Sequence, residues 1–253
     1  MKELSSVYTV SVPVWCFIDA IQNKYSRKLQ FFILLKLVYP EGKSKLTARE
    51  LSFLELTDGI GRKTTEKYLQ FFIKKSWIYY NPKTQYYILK SFDRIRKENK
   101  WQNRLAFPVG YHNYQQVKAV TGAVLYSYLH RGFWRRLAKR KSVQIMGSTY
   151  NFPHSKFNFK REPAPVSVSW ISNFFGISQA SASLLKSEAE NLHLVKVKKN
   201  YGTVVIDKIS MLKSLKYDES KPNIVWHNGY YRFQLIDTIY PLFYFTKRKS
   251  IKA

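Results

Sequence analysis

Gly59-Ile60 and Gly176-Ile177 each interrupt a helical pattern, and a shift of the chain by 117 residues lays one on the other. GIGRKTTEKYLQFFIKKSWIYY (59–80) then lies over GISQASASLLKSEAENLHLVKV (176–197). Few residues are identical, yet the apolar positions agree. Tyr68 falls on Leu185, Phe72 on Ala189, Trp77 on Leu194 and Ile78 on Val195. Glycine costs about 1 kcal/mol inside a helix relative to alanine, whereas serine is favoured at a helix start. One helix is therefore predicted to stop at Gly176 and the next to start at Ser178, with Ile177 as a buried hinge. Any fold of this chain must build that corner twice.

The surroundings of the two corners also correspond. NKYSRKLQFFILLKLVY (23–39) and NYQQVKAVTGAVLYSYLHRGFWRRLAKRK (113–141) have helical spacing, and each follows a Val-Pro-Val or Phe-Pro-Val lead-in (12–14 and 107–109). Thr47-Ala-Arg-Glu50 has the form of a capping box opening a middle helix. After each corner helix come two strand candidates: WIYY (77–80) with YYILK (86–90), and LVKVK (194–198) with TVVID (203–207). Such runs joined by short Asn/Gly/Pro turns read as antiparallel hairpins. SFDRIRKENKWQNR (91–104) is polar and reads as a linker. NIVWHNGYYRFQL (223–235) is a further hairpin, with Asn228-Gly229 suited to a type I′ turn, and the tail TKRKSIKA is expected to be mobile. The expected fold class is α+β, mainly α. Its domains are 1–92, a linker at 93–104, 105–212 with a long basic first helix, and a C-terminal extension at 213–253.

With 45% hydrophobic and 17% aromatic residues, the chain can build real cores. Its unusual property is charge: 43 Lys+Arg against 16 Asp+Glu, a net of +27. That excess repels itself in a compact state and fits a polyanionic partner. The single cysteine, Cys16, excludes an intrachain disulfide and suggests a reducing, intracellular location. The N-terminus lacks the apolar run of a secretory signal. FFILLKLVY (31–39) and LIDTIYPLFYF (235–245) fall short of the roughly 20 apolar residues that span a bilayer.

Gly176-Ile177-Ser178 with Ala182, Leu185, Ala189, Leu194 and Val195 resembles the winged helix-turn-helix of many DNA-binding regulators. The first corner is similar, with Gly61 in place of the capping serine, and His193 stands where such proteins often carry glycine. The Pro lead-in, first helix, capped middle helix and Trp-led hairpin of residues 12–90 resemble the DNA-binding domains of plasmid and phage replication initiators, some of which carry tandem winged helices. The resemblance implies two winged-helix domains and a cytoplasmic or nucleoid location, or a virion location if the protein is phage-encoded.

If the third helix of each half enters a groove, Arg62, Lys63, Thr64 and Lys67 form the outward face in the first. Arg and Lys can bond guanine edges, and Thr serves phosphate or base. In the second half the outward residues are Gln179, Ala180, Ser181, Ser183, Leu184 and Lys186, with Glu188 and Glu190 further along, a poorer reading face. Leu184 there suggests a thymine-methyl contact or, in preference, a protein interface, as does the C-terminal hairpin, with a second copy or with a replication or virion protein. Arg131, Arg135, Arg136, Lys139 and Arg140 on the long helix would clamp phosphates, as would Lys83, Lys198, Lys199 and Asn200 on the hairpins; such contacts position without specifying sequence. The Trp226–Phe233 hairpin is the best placed for base stacking.

No enzyme pattern emerges. The histidines at 112, 130, 154, 193 and 227 do not cluster, acidic residues are sparse, and no G-x-x-x-x-G-K-[ST] loop occurs. Neither metal nor cofactor is expected. The expectation is a non-enzymatic binder of double-stranded DNA, a replication initiator or regulator of a mobile element. A transcriptional regulator and an architectural or virion-associated nucleic-acid-binding protein are the alternatives.

Overall fold

The computed structural model describes residues 9–139, 142–145, 148–151, 162–202 and 224–250. The chain mixes α-helices with short antiparallel strands, as expected of an α+β protein. It divides into two compact units, one running to Val124 and taking up the chain again from Tyr244, the other Leu125–Phe243.

The first unit contains β1 (Thr9–Pro13), α1 (Val14–Gln22), α2 (Ser26–Val38), β2 (Lys43–Ser44), α3 (Ala48–Asp58), α4 (Arg62–Lys74), β3 (Ile78–Asn81) and β4 (Tyr86–Leu89). It continues through α5 (Phe92–Glu98), β5 (Leu105–Gly110), a 3-10 turn at Tyr114–Gln116 and the start of α6 (Val117–Lys139). Every residue from Leu29 to Leu37 is buried, so α2 is a central rod rather than an amphipathic surface helix. Around it stand Phe72, Trp77 and Phe92, with ring centroids 4.9, 5.1 and 5.8 Å from that of Phe32. The capping box at Thr47 and Glu50 is formed in full.

Three expectations change here. The two proline lead-ins are strands paired with each other: Val12 lies opposite Phe107, and Val10 opposite Val109. Pro108 fits because the strand on the other flank of β5 reaches only Leu105 and Ala106, so the missing N–H breaks no ladder there. The supposed linker at 93–104 contains α5, whose Phe92, Ile95 and Arg96 are buried. Its polar composition hid an amphipathic turn. The basic tail is held in place: β13 (Thr246–Lys247) pairs with β5 in the sheet order β1-β5-β13. Arg248 grips Asp93 with two hydrogen bonds, 2.7 and 2.9 Å, and donates to the Ser11 carbonyl. The chain passes from the first compact unit to the second within α6, after Val124.

The second unit takes the rest of α6, the hairpin β6 (Ser142–Ile145) and β7 (Ser148–Asn151), β8 (Ala164–Pro165), α7 (Val168–Phe175), α8 (Gln179–Asn191) and β9 (Val195–Lys198). It ends with the hairpin β10 (Ile224–His227) and β11 (Tyr230–Phe233), then β12 (Thr238–Pro241). Asn228 and Gly229 both take positive φ, +50° and +79°, as a type I′ turn requires. The strand partner expected for β9, residues 203–207, lies outside the described residues. Among those described, β9 pairs with β12, which continues to β8.

The repeat extends to backbone geometry. Gly59 and Gly176 cap α3 and α7 in the left-handed region, at φ +63° and +65°, where a side chain is strained. Seventeen residues after each glycine, Ser76 and His193 also turn left-handed, at +58° and +52°. Trp77 N then donates to Phe72 O, and Leu194 N to Ala189 O, at 2.9 and 3.0 Å. Ile177 is half-buried, against full burial of its counterpart Ile60.

Two buried charges give tests. Burial, reinforced by the Arg248 charge, pulls the Lys36 ammonium from its ordinary 10.5 to about 8, and its Nζ donates to the Leu89 carbonyl at 2.9 Å. The unfolded chain therefore holds a proton that the folded chain gives up above pH 8, so this group's contribution to stability rises with pH there. Lys36→Met should flatten the rise between about pH 8 and 10, measured by urea unfolding across that range. The Arg248 guanidinium, with Arg96 beside it, holds Asp93 below the ordinary carboxylate range. Arg248→Ala should cost about 2 kcal/mol at neutral pH. That deficit should shrink as pH falls through the lowered Asp93 value, because a depressed carboxyl loses its contribution there.

Candidate nucleic-acid interface

The structure displays α4 as the amphipathic spacing predicts. Thr65, Leu69 and Phe72 are buried, and the half-buried ring of Tyr68 meets Phe31 edge-on at 5.8 Å. Arg62, Lys63 and Lys67 are exposed on the other side, with Thr64 half-exposed. The N-cap is Gly61, which offers no side-chain acceptor, and the first turn holds no acidic residue. Such a helix start concentrates positive charge, since the macrodipole adds to the side chains. Arg62 makes an exposed i,i+4 pair with Glu66 at 3.1 Å, a contact worth little in water. Among the described residues neither Lys63 nor Lys67 has an acidic partner. Lys83 is exposed in the turn between β3 and β4, its backbone N–H donating to Asn81 Oδ1 at 3.1 Å.

The second unit gives its corresponding helix a different setting. Ser178 caps α8, its Oγ accepting from Ser181 N at 3.1 Å. Ala182, Leu185 and Ala189 face the interior, and Tyr126 OH on α6 donates to the Ala182 carbonyl at 3.1 Å. Gln179 and Ser183 are exposed and Ser181 is half-buried, but the chain at 234–237 runs past this face. Between that segment, the head of α7 and the start of α8 lies a groove of about 570 Å³. Lys186, expected to point outward, instead pairs with the buried carboxylate of Asp237. Asn200 likewise serves the fold, its Nδ2 donating to the Ile236 carbonyl at 2.8 Å. Lys198 and Lys199 are exposed, and Leu184 is 51% exposed, an outward apolar residue as expected.

The basic stretch of α6 is graded. The helix is buried from Ala119 to His130, apart from half-buried Tyr128. His130 Nε2 meets the Glu162 carbonyl at 2.6 Å, and burial holds this imidazole below its ordinary pKa, favouring the neutral tautomer that donates there. Trp134 Nε1 donates to the same oxygen at 3.2 Å. Arg131 is half-buried; burial and the Arg135 charge depress its pKa. Arg135 and Arg136 are exposed, and the Arg136 guanidinium lies 4.7 Å from the Trp170 ring centroid. The Lys139 side chain and all of Arg140 lie outside the described residues.

No protein-family model, curated protein or solved structure matches the chain. The arrangement of its own side chains thus carries the functional argument. Among the described residues no three His, Cys, Asp or Glu side chains gather as a metal donor set, and no helix is long and apolar enough to cross a membrane. Sequence reasoning brought together the face of α4 but missed the fate of Lys186 and Asn200. Asp237 lies 51 residues from Lys186, and no local pattern marks such a pairing.

The two lysines make a direct contrast. Lys186→Met would leave the buried Asp237 carboxylate uncompensated and should cost about 3 kcal/mol in urea unfolding. Lys67→Met removes an exposed charge and should change stability by less than about 0.5 kcal/mol.

Proposed function

We propose that the chain is a non-enzymatic, double-stranded DNA-binding protein whose two repeats are winged-helix modules, with α4 as the reading helix. What carries this reading is the start of α4: Arg62, Lys63 and Lys67 stand exposed on one face while Thr65, Leu69 and Phe72 anchor the other. The order α3, left-handed Gly59, α4 and the β3–β4 hairpin supports the module, and the second unit follows the same order through α7, Gly176 and α8. A net charge of +27 supplies the attraction for phosphates.

The two modules divide the work. Arg62 and Lys63 donate to base edges, Thr64 and Lys67 support them, and Lys83 holds backbone from the hairpin. Arg135 and Arg136 on α6 and Lys198 and Lys199 beside β9 add phosphate contacts that carry no sequence information. Exposed Leu184 and the β10–β11 hairpin fit a protein partner. Replication initiation or regulation at repeated sites of a mobile element is the role that suits two such modules in one chain.

A duplex enriched from a random pool, compared with its scrambled version by fluorescence anisotropy across a salt series, tests the reading. Both should weaken steeply with salt, and only the enriched site should keep an advantage on the order of 10³. Arg62→Ala with Lys63→Ala should erase most of that advantage and flatten the salt slope by about one or two. A wild-type protein that shows no preference for any duplex would instead favour an architectural packer of nucleic acid. An advantage that survives the double substitution would move reading away from α4.

A further inference from the structure

β2, β4 and β3 form a three-stranded antiparallel sheet in that order. Its inward face buries Ile78 and Leu89, paired across β3 and β4 and 2% and 5% exposed, and Ser44 on β2, while Tyr80 further out on that face is 39% exposed. The outward face departs from the polar surface that a solvated sheet normally shows. Tyr79, 57% exposed, stands directly opposite Ile88, 39% exposed, and Ile88 in turn lies opposite exposed Lys43. One step along the same face, Lys45 holds its ammonium 5.3 Å from the Tyr86 ring centroid. A lone exposed apolar residue needs no explanation. Here a ring and a branched aliphatic side chain sit side by side with lysines along one edge, and none of these four strand and edge positions is acidic.

We infer that this face binds an unpaired stretch of DNA, with Tyr79 stacking on a base beside Ile88 and with Lys43 and Lys45 on the phosphates. An aromatic ring on a flat, positively charged surface is the usual provision for single strands. Any base has a π-face to stack, and lysines track the backbone without reading it. A protein partner would be expected to meet a more apolar patch with fewer lysines. Lys83, exposed at the tip of the same hairpin, extends the positive edge. The choice of DNA over RNA rests on the duplex reading above. None of the four side chains Lys43, Lys45, Tyr79 and Ile88 is on α4.

The full-length protein should be titrated by anisotropy with labelled mixed-sequence 12-mers of single-stranded DNA, the same sequence as RNA, and a duplex. Tyr79→Ala should weaken binding of the DNA strand about tenfold, whereas Tyr79→Phe, which keeps the ring, should stay within about twofold of wild type. Lys43→Gln with Lys45→Gln should weaken the strand and flatten its salt dependence. Duplex affinity should change by less than about twofold for Tyr79→Ala, and thermal melts should show both tyrosine variants folded, since the side chain is exposed. The inference fails if wild type ignores single strands, if Tyr79→Ala binds them undiminished, or if it loses strand and duplex alike. Preference for the RNA strand overturns the assignment to DNA. The Arg62→Ala/Lys63→Ala protein separates the two claims: it should lose duplex discrimination yet still depend on Tyr79 for the single strand.

Discussion

What α4 can present to a partner is set by what its other side has to bury. Thr65, Leu69 and Phe72 pack inward at helical spacing, and Phe72 joins the ring cluster around Phe32 and Trp77. Left-handed turns at Gly59 and Ser76 stop the chain at either end of this segment, so the helix begins and ends where the core requires. Rotation about its axis would expose the Phe72 ring, whose burial is worth roughly 2–3 kcal/mol. The orientation of Arg62, Lys63 and Lys67 is thus a by-product of packing, held by apolar contacts and not by their own charges.

The scarcity of carboxylates sharpens this arrangement. Several of them are committed to clamps inside the units: Asp93 to Arg96 and Arg248, Glu98 to Lys90 and Arg94, Asp19 to Lys75, and Asp237 to Lys186. Asp19–Lys75, Asp93–Arg248 and Asp237–Lys186 join segments that are distant in sequence, whereas the Glu98 pairs and Asp93–Arg96 are local. They also leave the lysines of α4 and of the β2–β4–β3 sheet without neutralising neighbours among the described residues. A chain of this charge would be expected to repel itself. Placing its acids at joints and its unpaired bases on outward surfaces reconciles a stable fold with a strongly positive exterior.

Similar local turns therefore carry unlike surfaces. α4 and α8 share their turns, their inward spacing and the hydrogen bond that closes the last turn. Yet α4 starts uncapped and basic, while α8 starts on Ser178 and has the chain at 234–237 alongside its outer residues. The cap difference is local, Gly61 against Ser178, while the segment alongside α8 belongs to the returning C-terminal chain. Its strands β12 and β13 pair with β9 and β5, about forty and more than a hundred residues earlier. Strands so far apart carry no mutual signature, because pairing depends on the register between them and not on either segment alone.

The local features of this protein are written in its amino-acid sequence. Gly59 and Gly176 as corners, the capping box at Thr47, the Asn228-Gly229 turn and the inward stripe of each third helix all follow from preferences acting within a few residues. Where such preferences are silent, long-range packing settled the outcome. It made a helix of the polar stretch 92–98, paired the two proline segments, turned Lys186 inward to Asp237 and fixed the tail through Arg248. Those outcomes depend on which distant surfaces share a core, since a charged or polar side chain is compatible with solvent and with a buried partner alike. The sequence supplies the side chain; only the packing of remote segments supplies the partner.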